Sequence, residues 1–486
     1  MFQKITPKSK DSAKWYEEVV EKAGLAEHSP VKGCMTIKPY GYAIWEQIQK
    51  ILDARIKELG VDNTYFPIFI PKSFLEKEKE HIKGFAPECI VATEGGGKKL
   101  EEPLVLRPTS ETIIYDSFAR WIHSYRDLPF KINQWANIIR WEKRPRLFLR
   151  TIEFLWQEGH TAHENINESI QQANEVLKMY QDFANKYLAI ATISGKKSDS
   201  EKFAGAQSTL CIEGLMSDGK ALQMGTSHVL GQNFAKVFGI KYLDKNGKEQ
   251  FVWQTSWGVS TRLIGAVILA HGDDKGLVLP PKIAPYQLVI IPIWKSDLDK
   301  NKLKNKIDQL VESLADEVRV KVDWRDKVSP GFKFNDWELK GVPLRIEFGP
   351  RDLEKNQAVL AERVEGKSWE VKWEDLGKEI KKSLDIVQNK LLMNNQDFLG
   401  RNKHEAENYD ELKKILKEKG GFVKTAWCGS SECEKKIKDD TGATLRVIVG
   451  RVGQGEPAYM KKCICCGKDL DNPKIDHYPS YFAKAY

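Results

Sequence analysis

The chain has 486 residues, 41% hydrophobic and 30% charged, with 76 basic against 68 acidic side chains and a net charge of +8. Such a length holds roughly two to four domains with sizeable cores, and no apolar run approaches the ~20 residues of a membrane-spanning helix. The opening MFQKITPKSKDSAKW lacks the apolar core of a secretory signal, so the expected setting is the cytoplasm; the charge excess is compatible with a nucleic-acid partner without arguing for one.

The first elements are a short helix over 12–26, carrying Trp15, Tyr16, Val19 and Val20, and a strongly amphipathic helix. In the second, Ile44, Ile48, Ile51, Leu52, Ile56 and Leu59 recur at helical spacing and Gly60 supplies a stop. VDNTYFPIFIP (61–71) reads as a strand with Pro67 inside it. Proline donates nothing to a ladder, which puts it on an edge or at an interface. The three glycines of ATEGGGKKLEEP (92–103) lack the GxxxxGK[ST] frame of a phosphate-binding loop and read as a mobile loop tip. LVLRPTSETIIYDSFARWI (104–122) predicts a strand, a turn at Arg107-Pro108 and a helix. Thr109 or Ser110 would cap that helix, and Glu111 sits in its first turn near the positive end of the dipole.

The stretch KINQWANIIRWEKRPRLFLRTIEFLWQEGHTAH (131–163) is the most informative. It predicts a strand over 132–142, a basic loop over 143–149 and a second strand over 150–157. Alternation would set Arg140 and Glu142 on one face of the first strand. Arg150, Ile152, Phe154 and Trp156 would share a face of the second. Forked guanidinium groups suit phosphate or carboxylate, an aromatic ring stacks a base, and a carboxylate accepts from an exocyclic amine. An exposed hairpin with a cross-strand ion pair accounts for the same charges.

Residues 164–187 read as an exposed helix, followed by a strand near 188–193 and another within 201–216. ALQMGTSHVLGQNFAKVFGI (221–240) carries Gln223, Thr226 and His228. QTSWGVSTRLIGAVILAHGDD (254–274) sets Ser260 and Arg262 between a strand of small residues and an apolar helix. LVLPPKIAPYQ (277–287) is a Pro-rich boundary, after which strands and helices alternate to about residue 385. A polar Lys/Glu-rich helix with a mobile entry is expected over 395–421. Cys428-x4-Cys433 and Cys463-x2-Cys466 offer four thiolates, suited to a closed tetrahedral zinc site, with Cys465 an alternative to Cys466.

Arg140-Trp141-Glu142, a loop, then Phe154 and WQEGHTAH (156–163) resemble motif 2 of class II aminoacyl-tRNA synthetases, in the form seen in prolyl-tRNA synthetases. The helix before 61–71 with that segment resembles motif 1, and 254–274 resembles motif 3. The resemblance runs from about residue 10 to Tyr486. It implies an α/β (α+β) protein of three units. These are an antiparallel-sheet catalytic core (1–279), an α/β anticodon-binding domain (284–385) and a small C-terminal zinc-binding α+β domain (395–486).

By that resemblance Arg140 holds the ATP α-phosphate and the amino-acid carboxylate, and Glu142 reads the adenine amino group. Arg150 and Thr151 complete the ATP contacts and Phe154 stacks on the base. Gln223, Thr226, Ser260 and Arg262 join the ATP site, with Gln223 a ligand of Mg²⁺ and Arg262 reaching the γ-phosphate. Thr109 and Glu111 would take the amino group of L-proline, and Phe85, Trp156, His160, Phe203 and His228 would enclose its ring. Phe334, Glu338, Arg345 and Lys367 are implied anticodon contacts, and Pro67 belongs to a homodimer interface. In this group a C-terminal tyrosine folds back towards the active site, which implicates Tyr486 through its carboxylate.

The implied reaction is activation of L-proline with ATP to prolyl-adenylate and transfer to the 3′ end of tRNA(Pro). Charge neutralisation by Arg140, Arg262 and Mg²⁺ would carry it, with no nucleophilic side chain. Only about sixty residues separate His163 from Gln223. That leaves no room for the editing insertion of bacterial-type enzymes, so the archaeal/eukaryotic type is expected. Two other readings use much of the same sequence. A non-catalytic tRNA-binding paralogue should have lost the motif arginines. A class II enzyme for another amino acid, such as threonine, would be expected to hold a catalytic zinc in its amino-acid pocket.

Overall fold

The computed structural model describes residues 4–76, 89–449, 460–470 and 478–486. Asp11 caps α1 (Ser12–Lys22) by accepting from the Ala13 and Lys14 amides. Helix α2 (Pro39–Glu58) starts at a proline, which has no N–H to leave unpaired, and stops where Gly60 takes φ +70. Their apolar stripes meet in one core around Trp15, Tyr16, Ile44 and Ile48.

The strand expected over 61–71 breaks in two. Asp62–Asn63 (β1) pairs parallel with Phe130–Ile139 (β2), whereas Phe69–Pro71 joins a separate three-stranded sheet. Pro67 stands exposed between them in no strand, because its missing N–H cannot continue either ladder. The glycine run at 95–97 is a hairpin turn, not a free loop tip. Ile90–Gly95 and Lys98–Leu106 pair across it, with Gly96 at φ +60 and Gly97 at φ +76, the left-handed pair a tight hairpin needs.

Helix α3 (Glu111–Trp121) precedes β2, and β3 (Glu153–His163) returns antiparallel beside it. Helix α4 (Ile166–Lys186), expected to be exposed, buries Val176, Tyr180 and Phe183 on the back of the sheet; only its polar face is wet. β4 (Thr192–Lys196) begins later than the expected 188–193, since Ala189 at φ +54 turns the buried Leu188–Ile190 segment out of strand geometry. β5 (Ser208–Leu215), β6 (Ala221–Gly231) and β7 (Trp253–Ser260) complete this sheet, and α5 (Arg262–His271) follows from the end of the inner strand β7. The period of two sorts the faces. Gln157 and Gly159 turn to the back with Trp257 and Tyr180; a Cβ at Gly159 would lie 2.1 Å from the Trp257 ring.

The middle unit is a five-stranded sheet built from β8 (Leu288–Pro292), β9 (Val320–Val322), β10 (Leu344–Phe348), β11 (Gln357–Glu362) and β12 (Ser368–Lys372), in the order β9-β8-β10-β11-β12. Helices α6 (Asp297–Leu314) and α7 (Pro330–Leu339) supply its crossovers. One helix, α8 (Leu376–Arg401), then runs unbroken through positions 385 and 395. Where a single helix with a mobile entry is expected over 395–421, the chain has the end of α8, β13 (Lys403–Glu405) and α9 (Tyr409–Glu418). β14 (Phe422–Trp427), α10 (Ser431–Thr441), β15 (Thr444–Ile448) and β16 (Tyr478–Ala483) follow.

The C-terminal strands do not form a sheet of their own. They extend the first sheet to eleven strands among the described residues, in the order β13-β14-β16-β15-β4-β5-β6-β7-β3-β2-β1. The seam is Ile448 on β15 against Lys196 on β4, and glycine is required at 195, where a Cβ would lie 2.5 Å from the Ile448 carbonyl oxygen. Behind the seam the fully buried Glu213 takes Lys197 Nζ and Arg446 Nη2, each at 2.8 Å. A buried carboxylate is tolerated when its lone pairs are filled by such donors. No described helix is long and apolar enough to cross a membrane.

Candidate active site

Cross-strand register sets Thr209, His228, Ser256 and His160 side by side on four neighbouring strands. All four line the front-face cavity, whose volume is about 440 Å³. His160 is held at both ring nitrogens, Nδ1 at 3.1 Å from the Tyr115 hydroxyl and Nε2 at 3.2 Å from Glu158 Oε2. His228 Nδ1 lies 2.9 Å from Thr209 Oγ1, and its ring centre is 4.6 Å from that of Phe203. Burial lowers the His228 pKa from 6.5 to about 4, so the ring is neutral at pH 7 and suits an apolar neighbour. Ser256 Oγ is buried and has no hydrogen-bond partner among the described residues.

Ser110 occupies the N-cap of α3, yet its side chain makes no capping bond. Its hydroxyl donates to Glu158 Oε1 at 2.5 Å and accepts from Gln134 Nε2 at 3.1 Å. Ordinary capping therefore does not describe this turn; its hydroxyls serve a buried polar network. Thr109 donates to the carboxylate of Glu111, which is buried beside it. Behind the turn, the fully buried Arg107 gives Nη1 to the Phe66 carbonyl at 2.7 Å and Nε to that of Asn137 at 2.8 Å. Those bonds fix the turn so that the Pro108 carbonyl accepts from Arg140 Nε at 2.8 Å.

The strands of the central hairpin do not have the expected limits. β2 stops at Ile139 and β3 starts at Glu153, so Arg140, Glu142, Arg150 and Thr151 all lie on the segment between them, where alternation of faces does not apply. That segment is not an exposed loop either. Leu147, Phe148 and Leu149 bury in the main core, each such side chain contributing about 1.5–3 kcal/mol. The turn closes where the Arg146 N–H donates to the Arg150 carbonyl at 2.6 Å. Apolar burial thus wins over strand continuation and sets Arg140, Glu142 and the exposed Arg150 along the cavity.

The Arg140 guanidinium then lies 5.6 Å from the Trp156 ring centre and 5.7 Å from that of Phe154. Glu142 Oε2 is 3.7 Å from Arg150 Nε. Arg262 opens α5, with its N–H on Ser260 Oγ and its Nε on the Leu149 carbonyl, both at 3.2 Å. Burial first, and then the charges of Arg150 and Arg140, lower the Arg262 pKa from 12.5 to about 10. A half-buried guanidinium crowded by two others is unfavourable by itself and is suited to a polyanion.

Every residue expected at the nucleotide and amino-acid sites lines this one cavity except Phe85, which lies outside the described residues. Sequence reasoning missed Glu158, Ser256, Thr209 and Tyr115. Glu158 and Ser256 share the period-two faces of Trp156 and Ser260, and that pattern is the signal that points to them. Thr209 and Tyr115 become neighbours of the histidines only through register and helix packing, which leave no local mark.

Outside the cavity, the sulfurs of Cys428, Cys433, Cys463 and Cys466 all lie within 4.8 Å of one another. Cys428 to Cys433 is 3.7 Å and Cys466 to Cys428 is 3.8 Å. Zinc with four thiolates at about 2.3 Å puts tetrahedral sulfurs about 3.8 Å apart, so the set fits structural zinc. Cys465 is not part of it. Cys466→Ser is expected to lose the bound zinc and Cys465→Ser to keep it, as read by elemental analysis of the purified protein. The reverse pattern would transfer the ligand role to Cys465.

In the middle unit the Arg345 guanidinium lies 4.5 Å over the Phe334 ring, and Arg345 and Glu338 line a small cleft. Lys367 stands exposed outside that cleft, paired with Glu365 at 2.8 Å. Tyr486 folds back onto the segment between β2 and β3 through its phenol. The hydroxyl donates to Asp218 Oδ2 at 2.7 Å, and the ring sits 5.5 Å from the guanidinium of Arg146 on the segment between β2 and β3.

Comparison with known proteins matches the family described as tRNA synthetase class II core domain (G, H, P, S and T) to residues 93–271. An anticodon binding domain matches 287–383, and the prolyl-tRNA synthetase C-terminal domain matches 409–486. The proline--tRNA ligase of Natranaerobius thermophilus is 50% identical over 484 residues, which cover 100% of this chain and 98% of that protein. That of Clostridium novyi is 49% identical over 482 residues, covering 99% and 98%. Proline--tRNA ligase 2 of Bacillus cereus is 47% identical over 484 residues, covering 100% and 99%. With this identity sustained from end to end, and with no stretch left over for an editing domain, the chain belongs to the class II prolyl-tRNA synthetases that carry the additional C-terminal domain.

Proposed function

We propose that the chain is a proline--tRNA ligase whose single cavity holds ATP and L-proline together. The observation that carries this is the polarity of the cavity: Arg140, Arg150 and Arg262 converge on one part of it, and the buried Glu111 lies in another with the rings of His160, His228 and Phe203. A triphosphate is drawn to the first end. The secondary ammonium of proline is drawn to Glu111 and Thr109, leaving its carboxylate towards Arg140 and its ring among Trp156, His160, Phe203 and His228. Glu142 and Phe154 take the adenine edge and face, with Arg150, Thr151, Thr226 and Ser260 completing the nucleotide contacts.

A proline carboxylate oxygen attacks the α-phosphorus in line, and the bond to the bridging oxygen of pyrophosphate breaks. Arg262 and Arg150 stabilise the leaving charge, and Arg140 holds the two reacting groups together. The terminal ribose hydroxyl of tRNA(Pro) then attacks the carbonyl carbon and AMP departs. Mg²⁺, which binds with ATP, supplies further neutralisation of phosphate charge. Gln223 is the residue proposed to face it, its amide oxygen a suitable hard donor beside phosphate oxygens.

Residues 1–279 act as the catalytic unit, 284–385 read the anticodon through Phe334, Glu338, Arg345 and Lys367, and 395–486 hold structural zinc on the four cysteines. Stacking of Arg345 on Phe334 supports a surface for unpaired bases. The enzyme acts as a homodimer in the cytoplasm, where tRNA is charged. The exposed Tyr65 and Phe69 flanking Pro67 support an interface there. A non-catalytic paralogue has no need of three converging arginines. A threonine enzyme would hold zinc in the cavity, whereas the four-cysteine set lies outside it.

The test is amino-acid-dependent ATP–pyrophosphate exchange without tRNA, run with each amino acid in turn. Proline is expected to lead, with alanine and cysteine weakly active because a pocket rejects smaller ligands poorly. Exchange led by another amino acid overturns the pocket assignment. No exchange with any, from folded zinc-loaded protein, overturns the catalytic reading.

A further inference from the structure

The connection between β4 and β5 forms one wall of the amino-acid end of the cavity. Its base is closed by the Lys197 N–H on the Thr209 carbonyl at 2.8 Å and the Gln207 N–H on that of Val229 at 2.9 Å. Within it the Phe203 N–H donates to Thr209 Oγ1 at 2.9 Å, the same oxygen that meets His228 Nδ1. The ring of Phe203 is thereby carried to His228.

The near side of this loop is gripped from a distant part of the chain. Ser198 Oγ donates to Glu434 Oε1 at 3.0 Å and Ser200 Oγ donates to Glu434 Oε2 at 2.6 Å. Ser198 is 2% exposed and Glu434 7%, so water competes poorly for the bond between them, whereas Ser200 is exposed. Glu434 stands in the first turn of α10, directly after Cys433 of the cysteine set. The orientation of α10, and hence of this carboxylate, is tied to the same side chains that fit zinc. Arg446 on Glu213 at the sheet seam supplies a second tie between the same two parts of the molecule.

We infer that Glu434 is a positioning residue for amino-acid recognition, through which the four-cysteine subdomain holds the 198–207 loop, and with it Phe203, against His228. This rests on the assignment of Phe203 and His228 to the proline pocket. Removing the carboxylate returns conformational freedom to a loop that must be ordered to close the pocket. Ordering is then paid at binding, and proline affinity falls while the nucleotide end is untouched.

Glu434→Ala and the pair Ser198→Ala/Ser200→Ala cut the link from opposite sides; the second leaves the zinc subdomain intact should the first disturb its folding. Each is expected to raise the proline KM in pyrophosphate exchange about tenfold, with the ATP KM and kcat within about twofold and zinc content unchanged. Amides of 198–207 should exchange hydrogen faster. The triple variant should be no worse than either, because one link is cut twice. Glu434→Gln keeps an acceptor for one hydroxyl and a donor for the other, and should recover most of the proline affinity. An unchanged proline KM in the serine variant, or a rise in ATP KM equal to that for proline, overturns the inference. Phe203→Ala separates the two levels. If it raises the proline KM while the serine variant does not, the pocket stands and the link falls; if neither does, the pocket assignment falls with it.

Discussion

Arg262→Ala is expected to cut proline-dependent pyrophosphate exchange by about a thousandfold, while leaving the ligand-free protein at least as resistant to heat as the parent. The two halves of this result have one cause. Arg262 is half-buried with Arg150 and Arg140 nearby, and desolvation with their repulsion lowers its pKa from 12.5 to about 10. A base whose folded pKa is depressed carries an unfavourable charge in the fold at every pH below that value, so at pH 7 the charged guanidinium opposes folding. Its use lies in the anion it meets. In the proposed reaction, charge on the departing pyrophosphate would develop beside a guanidinium already oriented by the Leu149 carbonyl. That pre-arrangement is worth most in a site shielded from water. Exchange rates and thermal midpoints measured side by side, with and without ATP, check both halves. Near-normal exchange would remove Arg262 from the reaction. A thermal midpoint lowered by many degrees would show the residue to be a structural donor instead.

Glu111→Gln is expected to raise the proline KM by about a hundredfold, with the ATP KM little changed. The substitution keeps the size of the side chain and an oxygen for the Thr109 hydroxyl, and removes only the charge. A cationic secondary amine presents two N–H donors, and in a buried site its desolvation is offset by an anionic acceptor. Separate titrations of proline and ATP in the exchange assay decide the matter. A rise confined to a few fold would mean that the amino group is held elsewhere. A parallel rise for ATP would mean that the start of α3 had shifted, carrying the Pro108 carbonyl and Arg140 with it.

Short motifs in the sequence, read through the family they resemble, made the chemistry of this protein legible. Arg140 with Glu142, Phe154 with Trp156 and His160, Thr109 with Glu111, and the two members of each cysteine pair stand a few positions apart, so a local reading finds them together in any fold. The period of two that exposed Trp156 and His160 on one face also runs through Glu158 and Ser256. What local pattern cannot hold is which distant segment a strand pairs with and which apolar side chains reach a core.

Those decisions were tertiary. Burial of Leu147, Phe148 and Leu149 ended the hairpin strands early and aimed the arginines inward. Two ladders that Pro67 cannot join split the segment around it. The meeting of Ile448 with Lys196 made the C-terminal unit part of the catalytic sheet and set Glu434 against the loop that carries Phe203. Each outcome rests on contacts between residues far apart in sequence, where closing the chain must be offset by burial and hydrogen bonds that exist only once the partners have met.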